Sequence, residues 1–234
     1  MMHYLYFAGR SSAEFGIYIS GSGVYNAPER DAEKTSIPGR SGDLITDNNR
    51  FGNITVEYPA FIRQEFSRNA AAARAWLLMQ KGYQRLEDTY HPQYYRRAQF
   101  IGPMEFDMHT LNRSGEITIA FDCMPQRWEK EGEKSVQIAN NGILKNNAFP
   151  ALPLIKVSGT AAGNLYIGSY AVQIKSIDGY VMLDSENKNA YKETQNKNNT
   201  IYTENFPVLE PGNNQISWDG GITAVEITPR WWTI

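Results

Sequence analysis

Apolar and polar residues alternate in several short stretches of this chain, as they do in strands that bury one face. In the stretch 51–62 the apolar Ile54, Val56 and Tyr58 alternate with polar neighbours, and 115–123 repeats the pattern. In the second half, short apolar stretches recur between turn-forming residues about every 8–12 positions, which is typical of a β-sandwich or jelly roll. The pattern therefore predicts a mainly β protein.

One stretch, 67–82, has helical periodicity instead. Its alanine run at 70–73 favours a helix, and one Trp and one Leu give it a narrow apolar stripe. We expect Ser67 or Asn69 to cap its start, and Gly82 to take the left-handed conformation that ends it. A single helix of about four turns cannot form a bundle, so we expect it to pack on a sheet.

The length of 234 residues suits one large β domain or two domains of ordinary size. Met124 and Pro125 end the strand predicted at 115–123, and the charged stretch 126–133 follows. Domains are commonly joined in polar, turn-rich stretches of this kind. The sequence thus predicts an N-terminal domain at 1–130 and a C-terminal domain at 131–234.

Composition and charge exclude several classes of protein. Hydrophobic residues make up 41% and charged residues 21% of the chain, which indicates a folded chain rather than a disordered one. The net charge of −2 provides no basic excess for nucleic acid. The first residues lack the features of a secretion signal, and no apolar run approaches membrane-spanning length. We expect a protein that folds in a cytosol, inserts into no membrane and reads no nucleic-acid sequence.

Two groups of residues resemble reactive or metal-binding sites. Cys123 and His91 could form a nucleophile and a base, but Cys123 lies on the apolar face of a predicted strand, where a buried thiol is expected. Glu87, Asp88 and His91 are metal-ligand types, yet their spacing fits neither a zinc motif nor a calcium loop. We therefore expect no catalytic, metal-binding or cofactor-binding residue. A structural cluster of ion pairs and hydrogen bonds is predicted instead. Its members are Arg85, Glu87, Asp88, Arg96 and Arg97.

Several polar segments are suited to contacts with other subunits. The stretch 37–44 is dense in turn formers, but it lacks the Lys and the strand-to-helix context of a phosphate loop. It is either an ordered turn or a loop that inserts Arg40 and Asp43 into a neighbouring copy. The stretches 21–36 and 97–108 are candidate extended arms. The candidate subunit-interface residues of the loop are Pro38, Gly39, Arg40, Gly42 and Asp43.

Carbohydrate chemistry is a second possibility that the residues leave open. Trp231 and Trp232 could stack on sugar rings, although tryptophans more often close a core or cover an interface. Asp184 and Glu186 resemble the paired carboxylates of glycosidases, but acids beside a polar loop are solvated by default. Binding or assembly is thus favoured over catalysis.

The order of segments along the chain resembles that of a known family. The first half contains IPGRSGDL, RFGNITVEYP, GYQRLEDTYHPQYYRRA and GEITIAFDCMPQRW, and the second half contains PLIKVSG, DSENKNAY, FPVLEPGNNQI and ITPRWW. From Tyr4 to Trp232 this series resembles the distal tail protein (Dit) family of long-tailed, non-contractile bacteriophages and their prophages.

The resemblance implies a structural, non-enzymatic protein of the virion that is assembled in the cytoplasm of the host bacterium. Six copies would form a ring at the tail tip, and the ring would contact the major tail tube protein, the tape measure protein, the tail-associated tip protein and receptor-binding proteins. The N-terminal ring-forming domain would be a β-sandwich or split barrel with one α-helix and a long β-hairpin arm that overlaps the neighbouring copy. The C-terminal domain would be a galectin-like β-sandwich.

An alternative function is a carbohydrate-binding adhesion module that contacts the host cell wall. Enlarged members of the family carry inserted saccharide-binding modules, and this chain is too short in its second half to hold such an insertion. The resemblance therefore favours the assembly role, while Trp231 and Trp232 keep the alternative open.

Overall fold

The computed structural model describes residues 2–21, 23, 25–104, 106–109 and 114–234. Over these residues the chain is mainly β, with 23 strands, one α-helix and three short 3-10 helices, and the prediction of a mainly β fold is confirmed. The chain divides into two compact units, Met1–Arg127 together with Ile234, and Trp128–Thr233. The sequence places its own boundary after residue 130.

The first unit is built on one antiparallel sheet. Its strands follow the order β2-β1-β7-β8-β10-β6-β3, and β9 adds to β10, whereas β4 and β5 pair with each other in a separate two-stranded sheet. A 3-10 helix spans Ser12–Phe15 and the α-helix α1 spans Phe66–Leu78. The strands are β1 (Leu5–Phe7), β2 (Arg10–Ser11), β3 (Ile17–Ile19), β4 (Arg30–Thr35), β5 (Leu44–Phe51), β6 (Ile54–Ile62), β7 (Gln84–Asp88), β8 (Tyr94–Gln99), β9 (Phe106–His109) and β10 (Ser114–Cys123). The next strand, β11 (Arg127–Glu129), spans the boundary, with Arg127 in the first unit and Trp128 and Glu129 in the second.

The two alternating stretches form the central strand pair of this sheet. Strands β6 and β10 run antiparallel with Tyr58 opposite Ile119 and Val56 opposite Phe121. These inward residues are almost fully buried, because every second side chain of a strand points to the same face. The period-2 pattern therefore places the core of the first unit correctly.

Helix α1 packs against this core through Trp76. The Trp76 ring stacks on Phe15 with centroids 4.7 Å apart, and its indole N–H donates to the carbonyl oxygen of Phe7 over 3.2 Å. Trp76 is 3% exposed, and burying so large a side chain contributes about 3 kcal/mol. The expectation that the helix packs on a sheet is confirmed.

The predicted ends of the helix are wrong. It begins at Phe66, so Ser67 and Asn69 lie inside it, and Glu65 precedes it with φ 48° and makes no side-chain cap bond. Gly82 has the expected left-handed conformation, with φ 64°, but the helix already ends at Leu78, four residues earlier. Phe66 packs into the core, and this packing extends the helix by residues that precede the polar cap candidates. A prediction based on polar capping residues therefore starts the helix too late.

The long hairpin arm exists, but it lies elsewhere than the sequence suggests. Strands β4 and β5 form it, joined by a loop at 36–43, so only the end of the expected arm 21–36 takes part. The other expected arm, 97–108, contains the end of β8 and part of β9, and residue 105 lies outside the described residues. Strand β5 escaped prediction because it is exposed on both faces and so lacks apolar alternation.

The second unit contains two antiparallel sheets, with orders β12-β22-β14-β17-β18-β19 and β13-β21-β15-β16-β20. Two 3-10 helices span Lys130–Glu133 and Asn198–Thr200. The strands are β12 (Val136–Ile138), β13 (Gly142–Asn146), β14 (Leu154–Gly159), β15 (Gly163–Ile167), β16 (Tyr170–Ile174), β17 (Gly179–Asp184), β18 (Asn189–Lys192), β19 (Gln195–Asn196), β20 (Ile201–Tyr202), β21 (Gly212–Trp218), β22 (Ile222–Thr228) and β23 (Trp232–Thr233).

These two sheets pack face to face. Ile155 and Val157 of β14 share one buried cluster with Leu165 and Ile167 of β15, which belongs to the other sheet. The second unit is therefore a β-sandwich, and this part of the fold prediction is confirmed.

The apolar and turn-forming residues of the second half also predict a strand near 206–209, a solvated loop at 187–199 and a hairpin turn at Asp178 and Gly179. The structure contradicts all three predictions. The stretch 206–209 forms no strand and only an isolated bridge between Leu209 and Ala151. The stretch 187–199, expected to be a loop, contains β18 and β19. The turn at Asp178 and Gly179 joins β16 to β17, which lie in different sheets, so it is not a hairpin turn.

Candidate assembly interface

The base of the hairpin arm is held together by cross-strand charges. Arg30 Nη1 lies 2.7 Å from Asp47 Oδ2, and Arg50 pairs with Asp31. Hydrogen bonds from Asn48 and then the Arg50 pair lower the pKa of Asp31, and the backbone N–H of Asn49 and then Arg30 lower the pKa of Asp47. Both carboxylates are therefore ionised at neutral pH.

The distal half of the arm, 33–46, is exposed throughout. It contains Ile37, Leu44 and Ile45, of which Ile45 is 62% exposed and Leu44 46% exposed. A two-stranded hairpin that pairs with no further strand is marginally stable in water. Exposed aliphatic side chains on such a hairpin make its distal half a candidate contact surface.

The predicted interface loop forms the tip of this arm. The backbone N–H of Arg40 donates to the carbonyl oxygen of Ile37 over 3.1 Å, with Pro38 and Gly39 between them. Gly39 has φ 80° and Gly42 has φ 85°, so Gly39 occupies the position of a type II turn that requires positive φ. Asp43 directly precedes β5, and all of these residues are exposed.

An open groove of about 1020 Å³ lies on the outer face of the sheet in the first unit. Pro59 and Phe61 of β6, Glu116 and Thr118 of β10, and Pro103 line it. Apolar rings and one carboxylate thus face solvent together, which is the composition of a protein-binding surface rather than of a catalytic cleft.

The predicted ion-pair cluster is divided between the two faces of the β7–β8 hairpin. On one face, Arg85 Nε lies 2.5 Å from Glu87 Oε1 and the Arg85 guanidinium sits 3.8 Å from the centre of the Tyr95 ring. Arg97 lies directly across from Arg85 in the strand register. This face is partly exposed, so its ion pair contributes little to stability.

Asp88 and Arg96 lie on the inner side instead. Asp88 Oδ2 accepts from the hydroxyl of Tyr58 over 2.9 Å, and Asp88 Oδ1 accepts from the backbone N–H groups of Tyr90 and His91 over 2.9 and 2.8 Å. Burial and then the charge of Asp88 raise the pKa of Tyr58 well above its usual value, so the hydroxyl stays a donor. Asp88 thereby fixes the turn between β7 and β8.

Arg96 is 7% exposed, and its Nη1 reaches the carbonyl oxygen of Pro125 over 3.5 Å. Burial lowers the pKa of this guanidinium. The sequence does not predict the hydrogen-bond partners of Asp88 and Arg96. The turn could have been predicted, because an Asp side chain commonly accepts from the backbone N–H two residues later, here that of Tyr90.

The reactive-site alternatives find no support in the geometry. Cys123 is fully buried, and burial raises the pKa of its thiol to about 12, so the thiol stays protonated at neutral pH. His91 Nδ1 lies 3.4 Å from Asp88 Oδ1 and is engaged there. Within the part of the chain that the structure describes, no three His, Cys, Asp or Glu residues are placed to hold a metal ion. In the same residues, no helix has the length and apolar character to cross a membrane.

The two C-terminal tryptophans pack on the core of the second unit. Trp232 stacks on Phe149 with centroids 4.7 Å apart, and its indole N–H donates to the carbonyl oxygen of Pro150 over 2.9 Å. The backbone of Trp231 closely approaches Gly132, where an added Cβ would lie 2.4 Å from the Trp231 nitrogen. One face of Trp232 is thus already covered by a protein ring.

Comparison with known proteins finds solved structures that share this fold. No protein-family model matches the chain, and no curated protein matches it. Among solved structures, the Dit protein of phage SPP1, described as a paradigm of the hub adsorption apparatus in phages that infect Gram-positive bacteria, matches with a TM-score of 0.77 and 10% identity over 100% of both chains. The baseplate of phage P2 in its activated conformation with calcium matches with a TM-score of 0.52 and 10% identity over 97% of each chain. The same baseplate with strontium gives a TM-score of 0.51.

The resemblance drawn from the order of sequence segments is thereby confirmed at the level of the fold. From its first strand to its last, the chain has the fold of the SPP1 distal tail (Dit) protein.

Proposed function

We propose that this chain is a structural protein of a phage tail tip, in which six copies form a ring that joins the tail tube to the adhesion apparatus. The observation that carries the proposal is the full-length match to the SPP1 Dit protein, a component of a hub adsorption apparatus. The other two matching structures are both of a phage baseplate. The virion is then the site of action, and the tube, tape measure, tip and receptor-binding proteins are the proposed partners.

The hairpin arm supports the ring. A ring needs contacts that recur head to tail, so each copy must carry one donor surface and one acceptor surface that differ. The arm β4–β5 is a suitable donor, because its distal half is exposed and carries Ile37, Leu44 and Ile45. In the ring these side chains would be buried against the next copy, and the arm would gain the packing that an isolated hairpin lacks.

The groove on the outer face of β6 and β10 is the acceptor that we propose. It offers Pro59, Phe61 and Pro103 to the aliphatic residues of the arm, and Glu116 to the guanidinium of Arg40. Complementary charge of this kind fixes the register of an interface more than its affinity. The tip loop with Pro38, Gly39, Gly42 and Asp43 would then shape the contact rather than supply its energy.

The ring is tested with a matched pair of substitutions. Ile45 on the arm and Ile143 on β13 are both 62% exposed, so neither Ile45→Asp nor Ile143→Asp removes core packing. Mass in solution and electron microscopy of the wild-type protein should show six-membered rings. Ile45→Asp should shift the protein to monomers, because burying a carboxylate in an apolar contact costs several kcal/mol, whereas Ile143→Asp should leave the rings intact. A wild-type monomer at every concentration, or equal effects of the two substitutions, contradicts the proposal.

A further inference from the structure

A small cavity of about 10 Å³ lies beside the β7–β8 hairpin in the first unit. A space of this size holds a single occupant about as large as a water molecule. Asp88, His91, Arg96 and Arg127 are among the residues that line it. Two of these residues carry a positive charge, so the cavity is a place where a counterion can bind.

Arg96 contributes a positive charge that lacks a counterion. It is 7% exposed, and its only hydrogen bond within the described residues is the long one to the carbonyl oxygen of Pro125, at 3.5 Å. Within the same residues it forms no ion pair, since the acids of the hairpin are engaged with Arg85 and His91. Buried charges in proteins are ordinarily paired, because taking a charge out of water is costly.

Arg127 adds a second guanidinium to the same cavity. It is half-buried and lies over the ring of Tyr94, 4.5 Å from the ring centre. Burial and then the charge of Arg127 lower the pKa of Arg96, so the two cations are close enough to act on each other. Two like charges beside one space repel each other unless an anion lies between them.

The two carboxylates that line the cavity do not balance both cations. Glu87 pairs with Arg85. Asp88 accepts from neutral donors, which are the hydroxyl of Tyr58 and two backbone N–H groups of the turn that follows β7. Once the pair of Glu87 and Arg85 is set aside, two guanidinium groups face one carboxylate, which leaves one positive charge in excess.

The ring of His91 provides a further buried atom without a partner. Its Nδ1 lies 3.4 Å from Asp88 Oδ1, whereas its Nε2 is buried and has no hydrogen-bond partner among the described residues. Buried ring nitrogens are normally bonded to protein, water or an ion. A protonated Nε2 would donate to an anion, so an anion in the cavity can supply the missing partner.

We propose that this cavity binds one monovalent anion, chloride, between the guanidinium groups of Arg96 and Arg127. One negative charge balances the excess positive charge, and chloride is more compact than phosphate, sulfate or a carboxylate. A water molecule would fill the space but leave the charge unbalanced. The anion would tie β8 to the start of β11 and so stabilise the first unit, which contains the whole site. The inference does not rest on the proposed ring.

The test is urea unfolding of the full chain in sodium chloride and in sodium gluconate, at equal ionic strength and equal protein concentration. Trp76, labelled as 5-fluorotryptophan, reports on the first unit. Gluconate is too large for the cavity, so only chloride should stabilise this unit. Each tenfold rise in chloride above its dissociation constant should raise the urea midpoint by about 0.5 M.

Two variants and one crystal experiment locate the effect. Arg127→Gln should abolish the difference between the two salts, because it removes one of the charges that hold the anion. Arg10→Gln is the matched control and should retain the difference, since Arg10 is an exposed arginine of the same unit that pairs with Glu14. Crystals of the wild-type protein soaked in bromide should show an anomalous peak between Arg96 and Arg127, and this result does not depend on how well a variant folds.

Three results would overturn this assignment. Equal midpoints of the wild-type protein in chloride and in gluconate would show that no anion is bound. Water alone in the cavity of bromide-soaked crystals would assign the space to solvent. A chloride effect that survives in Arg127→Gln, or that is lost equally in Arg10→Gln, would place its origin outside this cavity.

Discussion

Asp88 and Glu87 are adjacent acids on β7 whose removal should have very different effects on the first unit. Asp88→Ala removes the acceptor of three hydrogen bonds, from Tyr58, Tyr90 and His91. Tyr58 is 3% exposed, so its hydroxyl would be left buried without an acceptor, which costs about 1–3 kcal/mol. Two charge-assisted bonds to the turn are lost as well, and we expect a total of about 3–5 kcal/mol.

Glu87→Ala is the matched control, because it deletes the same kind of group on the outer face. Its partner Arg85 has a side chain that is 39% exposed, and exposed ion pairs contribute about 0.2–1 kcal/mol. The two substitutions should therefore differ by at least about 2 kcal/mol. If the five charged residues acted as one cluster, as the sequence suggests, the two losses would be similar.

The assay must report on the first unit alone, since a protein of two units need not unfold in one step. Trp76 lies in this unit, and the other four of the five tryptophans, residues 128, 218, 231 and 232, lie in the second. Fluorine NMR of 5-fluorotryptophan protein in urea therefore follows the first unit through one resonance. With a slope of about 3 kcal/mol per molar urea, Asp88→Ala should lower the midpoint by about 1 M or more. Equal midpoints for the two variants would refute the reasoning.

A double-mutant cycle isolates the bond between Tyr58 and Asp88. In a Tyr58→Phe background no hydroxyl remains to be stranded, so Asp88→Ala should be less destabilising there, by about 1–2 kcal/mol. Additive losses would mean that the carboxylate acts only through the turn.

Three further predictions concern the arm and the buried thiol. Because the pKa values of Asp31 and Asp47 are lowered, their contribution is complete above the unfolded value of about 3.9 and is lost as the pH falls through the folded values; amide chemical shifts of the arm should move toward disordered values below about pH 4, and unchanged shifts would refute this. Arg40→Glu should weaken the ring and Glu116→Arg should restore it in the double variant, as measured by mass in solution; no restoration would reject this acceptor groove. Cys123 should react with a disulfide reagent only after unfolding, since its thiol is buried with a pKa of about 12; rapid labelling of the native protein would disprove this.

The parts of the fold that the sequence predicts are those in which one face of a strand is buried. Strands β6 and β10 were placed within a few residues, because Ile54, Val56 and Phe121 recur with the period of a pleated strand. The sandwich of the second unit was predicted for the same reason. The error at the N-terminal end of α1 arose where packing of Phe66 overrode the local preference for a polar cap.

The division of the charged cluster could not be predicted from residue types. Arg85, Glu87, Asp88, Arg96 and Arg97 are close in the sequence, but successive residues of a strand point to opposite faces, and the register of β7 on β8 decides which charges meet. Only the register shows that Asp88 is turned toward Tyr58. The alternation of faces along β7 is enough to place Glu87 and Asp88 on opposite sides of the sheet. It does not identify the partners of either residue.

The hairpin arm β4–β5 is the part of the fold that the sequence predicts least well. The physical reason is relevant to the proposed assembly. Strand β5 has almost no buried residue, so nothing in its own subunit imposes a pattern on it. Natural sequences depart from local rules mainly where another requirement acts on them. A long hairpin with exposed Leu44 and Ile45 and a charged base satisfies that description if its packing partner is another chain. The segment that is hardest to predict from one copy is then the segment that one copy does not complete, which is why the Ile45→Asp substitution, and not any change in the core, is the decisive test of assembly.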